Sequence, residues 1–196
     1  MASNERRGGI PRFLRFLFTG LVLGLYTEVL LKLIAGANPS AFAGALLGYP
    51  VILTLSFGAG RVIDRVIGSP RGADLIHYAL CGIGGLAIEW TFLGNGPGSN
   101  AFQLGMFGMW TTFCFGPRVL TRTPRMDAAL RRTFWRVFTV VAVALAVTVA
   151  ALPTPAAKVV VAVLGLSGAY VVWSAWLLWI AHRFHGSVPG VAGASA

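Results

Sequence analysis

Two of the chain's six acidic residues, Glu28 and Glu89, stand inside long apolar runs. A carboxylate held in such surroundings is costly, and chains that keep one use it to bind a polar group, relay a proton or pair with a cation. Lys32 follows Glu28 by one helical turn, acid first, the order that favours an ion pair. Its four-carbon stem would carry the ammonium toward a membrane surface. Glu89 shares a helical face with Gly82 and Gly85, which directs it into a bundle. Asn95, Asn100 and Gln103 come next, and Lys158 opens a later run at the same level. Glu28, Lys32, Glu89, Asn95, Asn100 and Gln103 are therefore the candidate ligand-binding residues. One reading makes them a polar interface that holds loops in place. The other makes them an outward-facing pocket for a small polar group or a lipid headgroup. If the chain is an enzyme, Glu89 is the candidate general acid or base, with Glu28 assisting.

A second group is weaker in chemical terms. His77 and Cys81 are one turn apart, Asp74 lies three residues before His77, and Cys114 sits in the next run. A metal needs three or four converging ligands. Here the cysteines are single, so the expectation is small apolar packing residues, an interfacial His77 and no metal. Motifs for zinc hydrolysis, thiol–disulfide exchange, serine hydrolysis and nucleotide binding are absent. The segment 94–100 is rich in glycine but has no strand before it and no lysine within it. No motif fixes a reaction, enzymatic function stays open, and no cofactor is expected.

Composition says what must position these residues. Hydrophobic residues make up 56% of the 196 and charged residues 11%, with a mean hydropathy of +0.74. A soluble domain carries about 25% charge, so the natural solvent for this surface is lipid. Six apolar runs, roughly 13–35, 41–59, 75–93, 101–116, 137–152 and 159–181, are each read as a transmembrane helix. The expectation is an all-α integral membrane protein of about six spans, one domain over 1–182, with a flexible tail over 183–196. The first run is too long for a signal-peptide core and carries two charges, so it is read as a retained span. Pro50 is expected to kink the second span. Glycines spaced four apart, Gly20 and Gly24, Gly44 and Gly48, Gly108 and Gly116 with Thr112 between, predict close packing into a compact bundle. Residues 126–135 suggest a short interfacial helix, and Trp173, Trp176 and Trp179 an aromatic belt.

Charge completes the topology. With the N-terminus cytoplasmic and six spans, all fourteen arginines fall on the cytoplasmic side, and both lysines, Lys32 and Lys158, fall outside. That is the positive-inside bias, and it places both termini in the cytoplasm of an inner (cytoplasmic) cell membrane. The net charge of +10 is thus accounted for by topology, and nucleic acid is not an expected partner. The expected partners are the bilayer itself and a membrane-protein partner or a second copy. The leading functional expectation is a non-catalytic or transport-like component or subunit of a membrane assembly. The alternative is a membrane-embedded enzyme acting on a lipid or isoprenoid.

Overall fold

Local signals set most helix boundaries. Ser69 accepts the Gly72 amide on its hydroxyl, with Pro70 in the first helical position, so α3 begins there. Thr154 accepts the Ala157 amide just before Pro155 in the same way and starts α7. A computed structural model describes residues 3–37, 42–92, 96–97, 100–121 and 128–184, and all its regular elements are helical. They are α1 (Ser3–Glu28), which continues as a π-helical turn over Val29–Ile34, then α2 (Phe42–Val66), α3 (Pro70–Thr91), α4 (Asn100–Cys114), α5 (Gly116–Leu120), α6 (Ala128–Ala151) and α7 (Pro155–Phe184). The segments 38–41, 93–95, 98–99, 122–127 and 185–196, with most of the expected flexible tail, lie outside the described residues.

The helices overrun the apolar runs at their charged ends. α1 begins at Ser3 and α2 continues to Val66 through Arg61 and Arg65. Hydropathy marks what suits lipid, whereas backbone hydrogen bonding carries on past that boundary. The interfacial helix over 126–135, expected to run into the fifth span, is described from Ala128, where it opens α6; 126 and 127 lie outside the described residues. α2 runs through Pro50 as one helix, and the Thr54 hydroxyl bonds the Pro50 carbonyl at 2.7 Å. Arg183 and Phe184, assigned above to the tail, belong to α7.

Among the described residues, four helical stretches are long and apolar enough to cross a membrane: Pro11–Ile34, Phe42–Val66, Ala128–Ala151 and Pro155–Arg183. The other two runs differ for identifiable reasons. α4 has 15 residues, about 22 Å at 1.5 Å per residue, against a hydrocarbon core of about 30 Å. α3 is long, but it is amphipathic in the inverted sense. Asp74, His77, Cys81, Gly85 and Glu89 are buried, while Leu75, Ile76, Leu80 and Ile83 face outward.

α4 and α5 form the centre. Every residue from Trp110 to Leu120 is buried, and α4 packs most extensively on α7 and α3. Glycine permits those approaches. A Cβ on Gly85 would fall 2.0 Å from the Trp110 ring, and one on Gly108 would fall 2.8 Å from the Tyr170 backbone. Gly20 and Gly24 likewise meet Leu53 and Phe113. Gly44 and Gly48 differ from expectation: a Cβ at either would meet nothing within 4 Å, so that α2 face is not used inside the chain. The periphery is apolar, with Phe18, Leu47, Leu55, Val140 and Leu164 all at least two-thirds exposed, as suits a surface bathed in lipid. The tryptophan belt is also revised. Trp173 is a core residue packed on Phe138 and Tyr170. Only Trp179 of the three faces out, under the Arg183 guanidinium at 5.0 Å. Three-residue spacing turns each successive side chain by about 60°, which carries the series from the core at Trp173 to the surface at Trp179.

Candidate functional site

Two polar clusters occupy opposite ends of the bundle interior. At one end, Glu28 is 8% exposed and Glu89 6%. The expected ion pair is present, with Lys32 Nζ 2.7 Å from Glu28 Oε2. The π-turn begins at Val29, directly after Glu28, and contains Lys32. The other carboxylate oxygen of Glu28 accepts the Tyr49 hydroxyl of α2 at 2.5 Å. Glu89 Oε1 accepts the Trp110 indole N–H of α4 at 3.1 Å.

Aromatic rings connect the two acids. Tyr49 packs on Phe113 at 4.5 Å between centroids, and Phe113 packs on Trp110 at 5.6 Å. Tyr170 of α7 donates to the Leu23 carbonyl at 2.7 Å, so the Thr27 hydroxyl, also 2.7 Å away, donates to Tyr170. Four helices thus converge on the acids from α1 and α3.

The remaining candidates separate from this layer. Gln103 accepts the Trp90 indole N–H at 2.9 Å and donates to the Gly96 carbonyl at 3.3 Å, which ties the start of α4 to the end of α3. Asn95 lies outside the described residues, as does the side chain of Asn100. Lys158 is half-buried in the first turn of α7.

The opposite end holds a network that the sequence did not disclose. Arg118, expected in a polar connecting segment, is 8% exposed. Its Nη1 and Nη2 donate to Asp64 of α2 at 3.1 and 2.6 Å, a two-pronged fork. Its Nε donates to Asp74 of α3 at 2.9 Å, and Nη1 also reaches the Gly60 carbonyl at 3.0 Å. Asp74 is fully buried, and Asp64 is 46% exposed. Gly60 admits the guanidinium, since a Cβ there would fall 2.9 Å from Nη1. His77, expected at an interface, is 1% exposed and contacts Ser56 at 3.2 Å. Among the described residues, no three of His, Cys, Asp or Glu are arranged to hold a metal ion.

The side-chain contacts also gather charge. The Arg118 fork brings together the end of α2, the start of α3 and α5, while Phe13 and Phe16 of α1 pack on Phe57 at the same level. Phe134 at the start of α6 packs on Trp176 near the end of α7, and Gly116 faces Leu177. The described arginines therefore share one end of the bundle, and Lys32 lies toward the other. Arg118 could have been suspected from its position: Gly116-Pro117 breaks the helix at the end of an apolar run, one residue before the guanidinium. Nothing in the sequence marked Tyr49, Trp110 or Ser56 as the partners of buried polar groups. The chain matches no protein-family model, no curated protein and no solved structure.

Proposed function

We propose that this chain crosses the inner cell membrane six times with both ends in the cytoplasm, and that it serves as a non-catalytic or transport-like component of a membrane assembly. Its Glu28–Tyr49–Trp110–Glu89 layer receives a small polar group or a lipid headgroup from the outward side. The observation that carries the reading is the convergence of two buried carboxylates, from α1 and α3, on one aromatic layer at the end opposite the arginines. Six crossings are supported by α3, whose outward residues Leu75, Ile76, Leu80 and Ile83 suit lipid while its polar residues turn inward. α4 and α5 together span 100–120, about 31 Å at helical rise. Arginine sharing one end supports cytoplasmic termini.

The test is purification of the tagged full chain in mild detergent. A stable membrane-protein partner or a homo-oligomer that survives Glu89→Gln supports the subunit reading. Native mass spectrometry should then show a retained polar lipid that is reduced in Glu28→Gln and Glu89→Gln. A monomer that turns over a lipid or isoprenoid only when Glu89 is present would replace this reading with the enzyme alternative. One observation favours that alternative: the two acids are held differently, Glu28 by an ammonium and Glu89 by an indole, which would suit distinct roles.

A further inference from the structure

Cys81 and Cys114 stand on neighbouring helices, α3 and α4, and both meet the Ser56 hydroxyl of α2, Cys81 through its sulfur at 3.7 Å and Cys114 through its carbonyl at 3.0 Å. They are 8% and 3% exposed, and both are free thiols. The two helices approach closely one turn away. Gly85 follows Cys81 by four residues, Trp110 precedes Cys114 by four, and a Cβ on Gly85 would overlap the Trp110 Cβ and ring. Close approach matters because a disulfide needs Cα atoms within about 7 Å, whereas packed helix axes stand about 8–10 Å apart.

The surroundings of the thiols are polar and ordered. The Ser56 hydroxyl donates its one proton to the Cys114 carbonyl at 3.0 Å, since that oxygen can only accept. Its lone pairs then receive His77 Nε2–H at 3.2 Å and the Cys81 thiol at 3.7 Å. His77 therefore carries its proton on Nε2. Its Nδ1 is a buried acceptor with no hydrogen-bond partner among the described residues. Cysteines that only fill space need no such attendants, whereas thiol chemistry needs groups that accept and return a proton.

We infer that Cys81 and Cys114 form an oxidisable dithiol whose oxidant is hydrogen peroxide and whose product is a disulfide joining α3 to α4. Buried thiols exclude bulky and charged oxidants, and peroxide is small and neutral. Cys81, the thiol in contact with Ser56, reacts first. It loses its proton, its sulfur forms a bond to one peroxide oxygen, and the O–O bond breaks. The departing hydroxide takes up that proton and leaves as water, and Cys81 becomes a sulfenic acid. The Cys114 sulfur then attacks the Cys81 sulfur. The S–S bond forms as the S–O bond breaks, and the departing hydroxide takes the Cys114 proton to give a second water. Two thiols are oxidised by two electrons and one peroxide is reduced. The Ser56 hydroxyl, in contact with the Cys81 sulfur, is the adjacent group able to pass the thiol proton. The bond would fix the last residue of α4 immediately before the break that sets Arg118 in place.

The test uses the purified full chain in detergent. After peroxide, denaturation and alkylation, the intact mass should fall by two hydrogens with neither cysteine alkylated, and a thiol reductant should restore both. Cys114→Ser should stop at a sulfenic acid that a cyclic 1,3-diketone traps. Cys114 in Cys81→Ser should react at least ten-fold more slowly than Cys81 in Cys114→Ser. Ser56→Ala should slow Cys81 oxidation at least three-fold, which a packing role would not do. The inference is overturned if both thiols of the folded chain stay alkylatable at doses that oxidise the denatured chain. It is equally overturned if the disulfide links two chains, or if the two single-cysteine variants react at the same rate.

Discussion

The two ends of the bundle solve the same problem, polar groups away from water, with different chemistry. At the arginine end one guanidinium meets two carboxylates and a carbonyl, and all three nitrogens of Arg118 donate to an acceptor. At the other end Glu28 meets the Lys32 ammonium and the Tyr49 hydroxyl, and Glu89 meets the Trp110 indole N–H. A fork of complementary charges fixes geometry and penalises any loss of a partner. Hydrogen bonds from the neutral phenol and indole, set in aromatic rings, are cheaper to rearrange. The first arrangement is a structural tie between α2, α3 and α5. The second is the kind of layer that can exchange one partner for a ligand, which is why the proposed site is placed there.

Mutations sharpen the contrast. Arg118→Met should have the largest effect, because Asp74 is fully buried. Removing one partner of a buried pair costs about 3–5 kcal/mol, read as a lower midpoint in a thermal or denaturant unfolding series in detergent. Arg118→Lys should recover only part of this, since an ammonium cannot reproduce the fork. An Arg118→Met chain as stable as the parent would break the comparison.

Next come the glycines. Gly85→Ala must displace the Trp110 ring, and overpacking costs about 1–3 kcal/mol. Gly48→Ala, which meets open space, should be neutral or stabilising by up to about 1 kcal/mol, because alanine is the better helix former. Unfolding of the two variants side by side checks both signs.

At the outward end, Trp110→Phe keeps the ring and removes the donor to Glu89. The expected loss is about 1–3 kcal/mol, together with altered lipid retention. Lys32→Met should cost less than Arg118→Met. The ammonium side chain is 22% exposed and the carboxylate 10%, so the loss should lie between the roughly 1 kcal/mol of an open pair and the roughly 3–5 kcal/mol of a fully buried one. A loss as large as that of Arg118→Met would make the outward cluster a structural tie as well.

The sequence carried the helices further than the contacts. Apolar runs located all the described helices except the short α5, because lipid demands hydrogen-bonded backbone and apolar exterior together. Their ends were misjudged where arginines continue the helix, as at Arg61 and Arg65. Glu28 and Lys32 were legible because their pairing is local, four residues apart. The Arg118–Asp64 and Arg118–Asp74 bonds join residues 54 and 44 positions apart, and a charge series reads each of these residues as a cytoplasmic flank. His77 was misplaced for the same reason: α3 turns its polar face inward, and a single helix does not announce which face is covered. Gln103 shared a level with the acids but not an orientation.

The central claim is a six-crossing bundle with the carboxylate layer outward, and labelling from one side of the membrane tests it most directly. Gly68→Cys and Gly96→Cys are each placed in a Cys81→Ser, Cys114→Ser background. Intact cells are exposed to a membrane-impermeant maleimide. The account predicts that Gly96→Cys reacts from outside, whereas Gly68→Cys reacts only after permeabilisation. Equal labelling of the two positions from the same side would mean that α3 does not cross, and would contradict it.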